Sequence, residues 1–296
     1  MWQHLKDNMI KGDFKSLARC ISLVENEMPG YEEFLQSLPV STTPIIGITG
    51  PPGAGKSTLT DALIESYIKV EKKIGIICVD PSSPFNLGAL LGDRIRMSDW
   101  YNHPSVFIRS LATRGSMGGL HPKIIEVTDT MKAAGFDIII VETVGVGQSE
   151  IEIAGLADTT IVVLVPEAGD EVQAMKSGLM EIADIFVVNK ADRPGADKFV
   201  RNLKQILTPA SHTSEQEIPV IKTIASQKEG ITELIEKIET HRSTQNTQRK
   251  IWLQAEKAYH LIKNKRMKDV SKEDLKNEIE KSGSNFNLYR FIEKYK

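Results

Sequence analysis

A glycine-rich stretch near residue 50 has the residue types and spacing to bind phosphate. It follows an apolar run, precedes a helical pattern, and reads Gly-x-x-x-x-Gly-Lys-Ser, which is the P-loop spacing in its required strand–loop–helix context. Backbone N–H groups of such a loop surround phosphate oxygens, Lys56 would reach the β- and γ-phosphates, and the Ser57 hydroxyl would bind Mg²⁺. The alternative is a glycine-rich turn before an ordinary helix. The residues expected to contact nucleotide here are Gly50, Pro51, Pro52, Gly53, Ala54, Gly55, Lys56, Ser57 and Thr58.

A second motif, Asn189-Lys190-Ala191-Asp192, directly follows a predicted strand. The Asp192 carboxylate can accept hydrogen bonds from N1–H and the N2 amine of guanine, whereas adenine does not offer this pair of donors. A buried hydrogen-bonding site rejects a mismatched ligand strongly. The alternative is a polar cap on the next helix. Downstream of a P-loop, the motif predicts a site for GTP and GDP, with Asn189 and Lys190 also at the nucleotide.

A third segment, residues 223–226, follows the last predicted strand. Backbone N–H groups of Ile224, Ala225 and Ser226 are expected near guanine O6. The usual pattern has Ser-Ala at this place, and Ile224 departs from it. Because the backbone would make the contact, we expect it to survive the different side chain.

Glu142 ends another predicted strand, where a carboxylate would face the P-loop magnesium directly or through water. Gly145 would let the next loop approach the γ-phosphate, which is typical of a switch. Many GTPases carry a Gln immediately after this glycine to orient the attacking water. Val146 stands here instead, so we expect slow unaided hydrolysis of GTP.

Three further residues have open interpretations. Asp80 is either a magnesium partner acting through water or a turn-forming residue before Pro81. Asp93, in the loop beyond, could swing in when GTP and Mg²⁺ bind. Arg114, in a glycine-rich loop, either stabilises transition-state charge or has a plain surface role. The six histidines show no ligand spacing, so none is assigned to a metal.

Length and composition limit the class of protein. The 296 residues, 41% of them hydrophobic, predict one large domain or one domain with helical extensions. A net charge of −2 gives no global field for nucleic acid or an anionic membrane, and no apolar stretch is long enough to span a bilayer. Cys20 and Cys78 lie far apart, which argues against a disulfide framework or a cysteine zinc site. We expect a reducing, cytoplasmic setting.

Strand and helix patterns alternate from residue 45 to residue 240. The strands are apolar throughout, which predicts a sheet that is covered on both faces. Crossovers of helix length predict a doubly wound, mostly parallel α/β sheet, with ligands bound beyond the carboxyl ends of its strands. The predicted strands are 45–49, 74–79, 106–109, 138–141, 161–165, 185–188 and 220–223, and the predicted helices are 56–70, 121–135, 171–182, 195–207 and 230–240.

Helical segments flank this α/β domain. We expect an N-terminal helical segment over residues 1–43, the P-loop domain over 44–240 and a C-terminal helical arm over 241–296. The arm carries 14 basic against 7 acidic residues. Its amphipathic stripe is either a solvated helical face or a surface that pairs with a second subunit. The stripe consists of Trp252, Ala255, Tyr259 and Ile262.

These motifs together resemble the MeaB/ArgK family of P-loop GTPases, the methylmalonyl-CoA mutase-associated G-protein chaperones. The resemblance covers residues from about 12 to 232. The run Val-Glu-Thr-Val-Gly-Val-Gly-Gln-Ser-Glu at 141–150 is specific to this family. Beyond the P-loop and the Asn-Lys-x-Asp motif, the resemblance also rests on residues 12–25, 79–83, 91–97, 168–176 and 180–184.

The resemblance implies a homodimeric G protein that binds adenosylcobalamin-dependent methylmalonyl-CoA mutase. GTP binding and hydrolysis would gate cofactor loading or protect the mutase. A further switch loop is implied at residues 170–178, with Lys176 pointing to the active site. A partner that orders mobile loops would compensate for the missing Gln. The magnesium contacts that the family implies are Ser57, Asp80, Asp93 and Glu142.

Two other functions compete with this interpretation. A nickel-delivery GTPase of the hydrogenase or urease maturation type needs Cys or His ligands near its switches, whereas Cys78 lies inside a predicted strand and no histidine cluster exists. An ArgK-type kinase would pass the γ-phosphate to a protein. Nothing in the sequence supplies an evident catalytic base for a protein hydroxyl.

Overall fold

A computed structural model describes residues 1–80, 97–112, 120–143, 149–166, 178–211, 217–244, 247–282 and 286–295. The chain divides into two compact units, Met1–Lys250 and Ile251–Lys296. The first unit contains a seven-stranded sheet in the order β3-β2-β4-β1-β5-β6-β7, and every neighbouring pair is parallel. The strands are β1 Ile45–Thr49, β2 Ile74–Asp80, β3 Val106–Ala112, β4 Ile138–Glu142, β5 Thr159–Leu164, β6 Ile185–Val188 and β7 Val220–Lys222.

Helices connect these strands and cover the sheet, so the predicted doubly wound α/β class is confirmed. Strands β1, β4, β5 and β6 are buried at every position, which explains why their sequences show no polar alternation. β3 continues three residues beyond its predicted end. The helices of the first unit are α1 Trp2–Ile10, α2 Phe14–Glu25, α3 Tyr31–Gln36, α4 Lys56–Ile68, α5 Ile124–Ala133, α6 Ser149–Glu152, α7 Leu179–Ile182, α8 Ala196–Ser211 and α9 Ile231–Thr244.

Aspartates at the amino edge of the sheet hold the strand starts in register. Each precedes a strand and accepts a hydrogen bond from a backbone N–H at the start of a neighbouring strand. A buried N–H without such an acceptor would destabilise the fold. The three bonds are Lys73 N to Asp137 Oδ2 (2.8 Å), Ile45 N to Asp158 Oδ2 (2.7 Å) and Thr160 N to Asp184 Oδ2 (2.8 Å).

The N-terminal helices belong to the first unit. Asp13 is the N-cap of α2, and its carboxylate accepts hydrogen bonds from the backbone N–H groups of Lys15 and Ser16. Arg109 on β3 donates to Ser22 Oγ of α2 at 3.1 Å and pairs with Glu25. The helical segment is thereby tied to an edge of the sheet.

The described residues after α9 form helices. α10 spans Thr247–Arg266, α11 spans Lys272–Ser282 and α12 spans Leu288–Ile292. Ser271 caps the start of α11, and its hydroxyl oxygen accepts a hydrogen bond from Asp274 N at 3.0 Å. Of the helices in the described ranges, none has the length and apolarity needed to cross a bilayer.

Candidate functional site

The P-loop connects the end of β1 to the start of α4, at the carboxyl edge of the sheet. Gly50 and Gly55 have φ angles of 136° and 89°, which side-chain-bearing residues rarely adopt. A Cβ atom at Gly50 would overlap the carbonyl oxygen of Val163, and one at Gly55 would overlap the side-chain amide of Asn189. Glycine at both positions lets the loop lie directly against β5 and against the Asn-Lys-x-Asp motif.

The Lys56 ammonium lies over the P-loop itself. Nζ donates to Gly50 O at 2.8 Å and to Pro51 O at 3.0 Å, and the residue is 6% exposed. A phosphate group would compete with these two neutral carbonyls for the ammonium. The bond to phosphate is the stronger one, because the acceptor is then charged as well as the ammonium donor.

The structure brings the predicted magnesium residues Ser57 and Glu142 together. Ser57 Oγ donates to Glu142 Oε1 at 2.6 Å, because β4 pairs with β1 and places Glu142 beside Ile48. Glu142 is 4% exposed. A hydroxyl beside a buried carboxylate is an oxygen donor set of the kind that Mg²⁺ prefers, so these residues fit the ion.

Asp80 ends β2, the strand on the other side of β4. Where β2 pairs with β4, Cys78 lies opposite Glu142. Asp80 follows Cys78 by two residues, so its backbone lies just beyond Glu142 at the carboxyl edge of the sheet. Three predicted site residues, Asp93, Gly145 and Lys176, lie outside the described residues, as does Arg114.

Asn189 connects the P-loop to the segment that follows β7. Its Nδ2 donates to Ala54 O of the P-loop at 2.9 Å. Its Oδ1 accepts from Thr223 Oγ1 and from Ala225 N, each at 3.1 Å. Since the side chain is only 2% exposed, these bonds define its orientation.

Lys190 and Asp192 follow on the surface side of the same loop. Lys190 Nζ donates to Gly53 O at 2.7 Å, so its side chain extends along the P-loop, whereas Asp192 is exposed. Ile224 N donates to Glu229 O at 3.2 Å. Together with the Ala225 bond to Asn189, two of the three N–H groups expected near guanine O6 are therefore engaged within the protein, and that base contact stays a prediction.

Sequence reasoning missed two buried hydroxyls. Thr60 Oγ1 lies 2.9 Å from Glu142 Oε2, and Thr223 supports Asn189 as described above. The signal for Thr60 was available, because it lies three residues after Ser57 and therefore on the same face of α4. Thr223 had no comparable signal, since its contact depends on the neighbouring strand β6.

A second concavity, a groove of about 940 Å³, lies at the opposite edge of the sheet, between the end of α4 and α9. Its four basic residues pair with three carboxylates, and Glu236 also lines the groove, so the groove does not offer the uncompensated positive charge that a phosphate site needs. The pairs are Lys69–Glu65, Lys228–Glu65, Lys72–Asp137 and Arg242–Glu239.

A parallel sheet with a P-loop after its central strand and an Asn-Lys-x-Asp motif after β6 defines a P-loop GTPase. The chain belongs to the MeaB family, since the profile described as methylmalonyl Co-A mutase-associated GTPase MeaB matches residues 17–281. The members of this family are named GTPases, and the protein is accordingly a hydrolase acting on GTP.

Several known proteins are similar to the chain. A putative GTPase of Pyrococcus abyssi is 49% identical over 82% of this chain and 76% of its own length. The crystal structure of a protein named LAO/AO transport system kinase superposes with a TM-score of 0.71 at 26% identity, covering 99% of this chain and 96% of that one. A fused isobutyryl-CoA mutase of Geobacillus kaustophilus is 36% identical over 75% of this chain, which corresponds to 22% of that protein.

The position of Lys56 leads to the first prediction. Lys56→Ala should weaken GTP and GDP binding by about 100-fold, because truncating one member of a buried charged contact costs several kcal/mol. Nucleotide affinity is measured by titration with a fluorescent analogue. Lys72→Ala is the control, since that ammonium pairs with Asp137 at the opposite edge of the sheet. Unchanged affinity in the Lys56 variant would contradict the assignment.

Proposed function

We propose that this GTPase is a chaperone for an adenosylcobalamin-dependent acyl-CoA mutase, with methylmalonyl-CoA mutase as the first candidate. The observation that carries the proposal is the Geobacillus relative, in which a segment similar to this chain is part of a fused isobutyryl-CoA mutase. The family description, a mutase-associated GTPase, agrees with it. GTP binding and hydrolysis would gate the loading of the cobalamin cofactor or protect the mutase.

In the proposed nucleotide site, the P-loop amides and Lys56 bind the phosphates, and Asp192 reads the guanine. The buried Asn189 side chain hydrogen-bonds Ala54 in the P-loop and Ala225 in the segment after β7, and so keeps these two segments at a constant separation. Ser57 and Glu142 would hold Mg²⁺, with Asp80 and Asp93 as further candidates. The ion, when bound, neutralises charge on the phosphate oxygens.

Hydrolysis in this proposal is slow until the partner binds. Val146 stands where many GTPases carry a water-orienting Gln, so the chain supplies no side chain of that type at this position. The mutase would complete the site through the switch segments that contain Gly145 and Lys176. In this proposal the rate of GTP turnover reports whether the mutase is bound.

We further propose that the functional form is a homodimer of this chain, paired through α10. Trp252, Tyr259 and Ile262 lie on one stripe of that helix and are each more than half exposed. A repeated apolar stripe on a helix is the pattern by which two helices pair. In this proposal the stripe packs against the same helix of a second copy.

The dimer is tested by light scattering across a concentration series. The wild-type protein should have twice the mass of one chain, and Trp252→Glu together with Tyr259→Glu should raise the dissociation constant by about tenfold or more. Gln254→Glu is the matched control, since that residue is exposed on a different side of α10. A monomeric wild type, or a double variant that dimerises normally, would remove this part of the proposal.

Guanine recognition is tested by Asp192→Asn. This change should weaken GTP binding by about 100-fold and improve the binding of xanthosine triphosphate, since xanthine has an acceptor where guanine has its amine. Competition between the two nucleotides for one fluorescent analogue measures the preference. Asp197→Asn is the control, because that carboxylate lies on α8 and pairs with Lys222. If the preference of the Asp192 variant equals that of wild type, another group reads the base.

The mutase link is tested by adding purified methylmalonyl-CoA mutase or isobutyryl-CoA mutase and measuring GTP turnover. We expect the mutase to raise the rate of GTP hydrolysis by about tenfold or more. Dedicated activating proteins of other GTPases raise this rate further. The γ-phosphate of labelled GTP is followed to its acceptor. Label released as inorganic phosphate supports the GTPase role, whereas label retained on a protein would support a kinase.

Two controls make the mutase result decisive. The Lys56→Ala variant should show no stimulated turnover with either mutase, since it lacks a lysine that we place at the phosphates. An acyl-CoA enzyme that does not use cobalamin should leave the wild-type rate unchanged. Absence of binding and of stimulation with both mutases would overturn the chaperone role and leave the GTPase assignment intact.

A further inference from the structure

Two hydroxyl groups of α4 donate hydrogen bonds to the buried carboxylate of Glu142. Ser57 Oγ donates to Oε1 at 2.6 Å, and Thr60 Oγ1 donates to Oε2 at 2.9 Å. Ser57 and Thr60 are three residues apart, so they lie on the same face of the helix. Each carboxylate oxygen therefore has its own hydroxyl donor from the first turns of the P-loop helix.

A second acceptor lies within reach of the Thr60 hydroxyl. Thr60 Oγ1 lies 3.0 Å from Lys56 O, the carbonyl one helical turn earlier, which selects one rotamer of this β-branched side chain. The residue has no exposed surface. The single hydroxyl proton therefore has two acceptors, Lys56 O and Glu142 Oε2, and the charged carboxylate is the stronger of them.

We infer that Thr60 is a positioning residue for the divalent cation, because it holds Glu142 in place through Oε2. The inference rests on the proposed magnesium role of Ser57 and Glu142. In that role Ser57 Oγ would contact both the metal ion and the Glu142 carboxylate. Thr60 lies one turn farther along α4 and donates to the other oxygen of the same carboxylate, Oε2.

The Thr60 hydroxyl matters energetically because the buried Glu142 carboxylate is poorly solvated by water. A buried carboxylate that loses a hydrogen-bond donor is destabilised, and its orientation is less restricted. Groups that orient a metal ligand typically change metal affinity by about 10- to 100-fold when they are removed. Removal of the Thr60 hydroxyl should therefore weaken the binding of the cation more than it weakens the binding of nucleotide without a cation.

The experiment compares Thr60→Val, which keeps the shape of the side chain, with Thr60→Ser, which keeps its hydroxyl. Dissociation of a fluorescent GDP analogue is followed over a series of Mg²⁺ concentrations, a readout that needs no hydrolysis. Thr60→Val should raise the Mg²⁺ concentration for half-maximal retention of the nucleotide by about tenfold. Thr60→Ser should stay within about threefold of wild type, and nucleotide affinity in EDTA should be nearly equal in all three proteins.

Thr128→Val is the matched control. Thr128 is also fully buried in a helix, α5, where its hydroxyl donates to Ile124 O at 2.9 Å and to Ile125 O at 2.8 Å. It should leave the Mg²⁺ requirement unchanged, although both valine variants can lower the melting temperature. If Thr60→Val does not fold, Thr60→Ala replaces it in the comparison with Thr60→Ser.

The outcomes separate this inference from the proposed function. A wild-type protein whose nucleotide retention depends on Mg²⁺, with a Thr60→Val variant of equal dependence, would overturn the role of Thr60 alone. A Thr60→Ser variant as impaired as Thr60→Val would do the same, because the hydroxyl would then not be the cause. A wild type that holds nucleotide equally well without Mg²⁺ would overturn both the role of Thr60 and the proposed metal site.

Discussion

The buried side-chain amide of Asn189 is the interaction on which the site depends most. It donates to Ala54 O in the P-loop and accepts from Thr223 Oγ1 and Ala225 N in the segment after β7. Three loops that are far apart in the sequence are thereby joined through one side chain. An amide can do this because it carries donors on one atom and an acceptor on the other. The glycine at position 55 is part of the same constraint, since any larger residue would displace the amide.

The carboxylate of Glu142, beside the start of the P-loop helix, is the second constraint. Burial of a carboxylate is costly unless hydrogen bonds compensate it, and here α4 provides two hydroxyls from adjacent turns. The arrangement also ties the P-loop helix to the carboxyl end of β4. A change in the position of this carboxylate is therefore coupled to the helix that follows the phosphate loop.

The opposite edge of the sheet has a complementary role. Asp137, Asp158 and Asp184 accept backbone N–H groups where neighbouring strands begin, and so hold the strand starts in register. The groove at that edge has basic residues that are already paired with carboxylates. The two edges of one sheet thus differ in electrostatic character. The amino edge is internally neutralised and stabilises the fold, whereas the carboxyl edge presents the P-loop and the residues proposed to bind nucleotide.

The amino-acid sequence by itself determined the fold class, the family and the positions of the two nucleotide motifs. These are local properties, since apolar strands, P-loop spacing and helix caps such as Asp13 and Ser271 depend only on residues close together in the chain. The limits of β3 were less predictable, because its extra residues are defined by pairing with β2. Only the tertiary structure decided that Thr60 and Ser57 share Glu142 and that Thr223 supports Asn189. Those contacts join residues 34 to 85 positions apart, and their geometry is determined by the order and register of the strands.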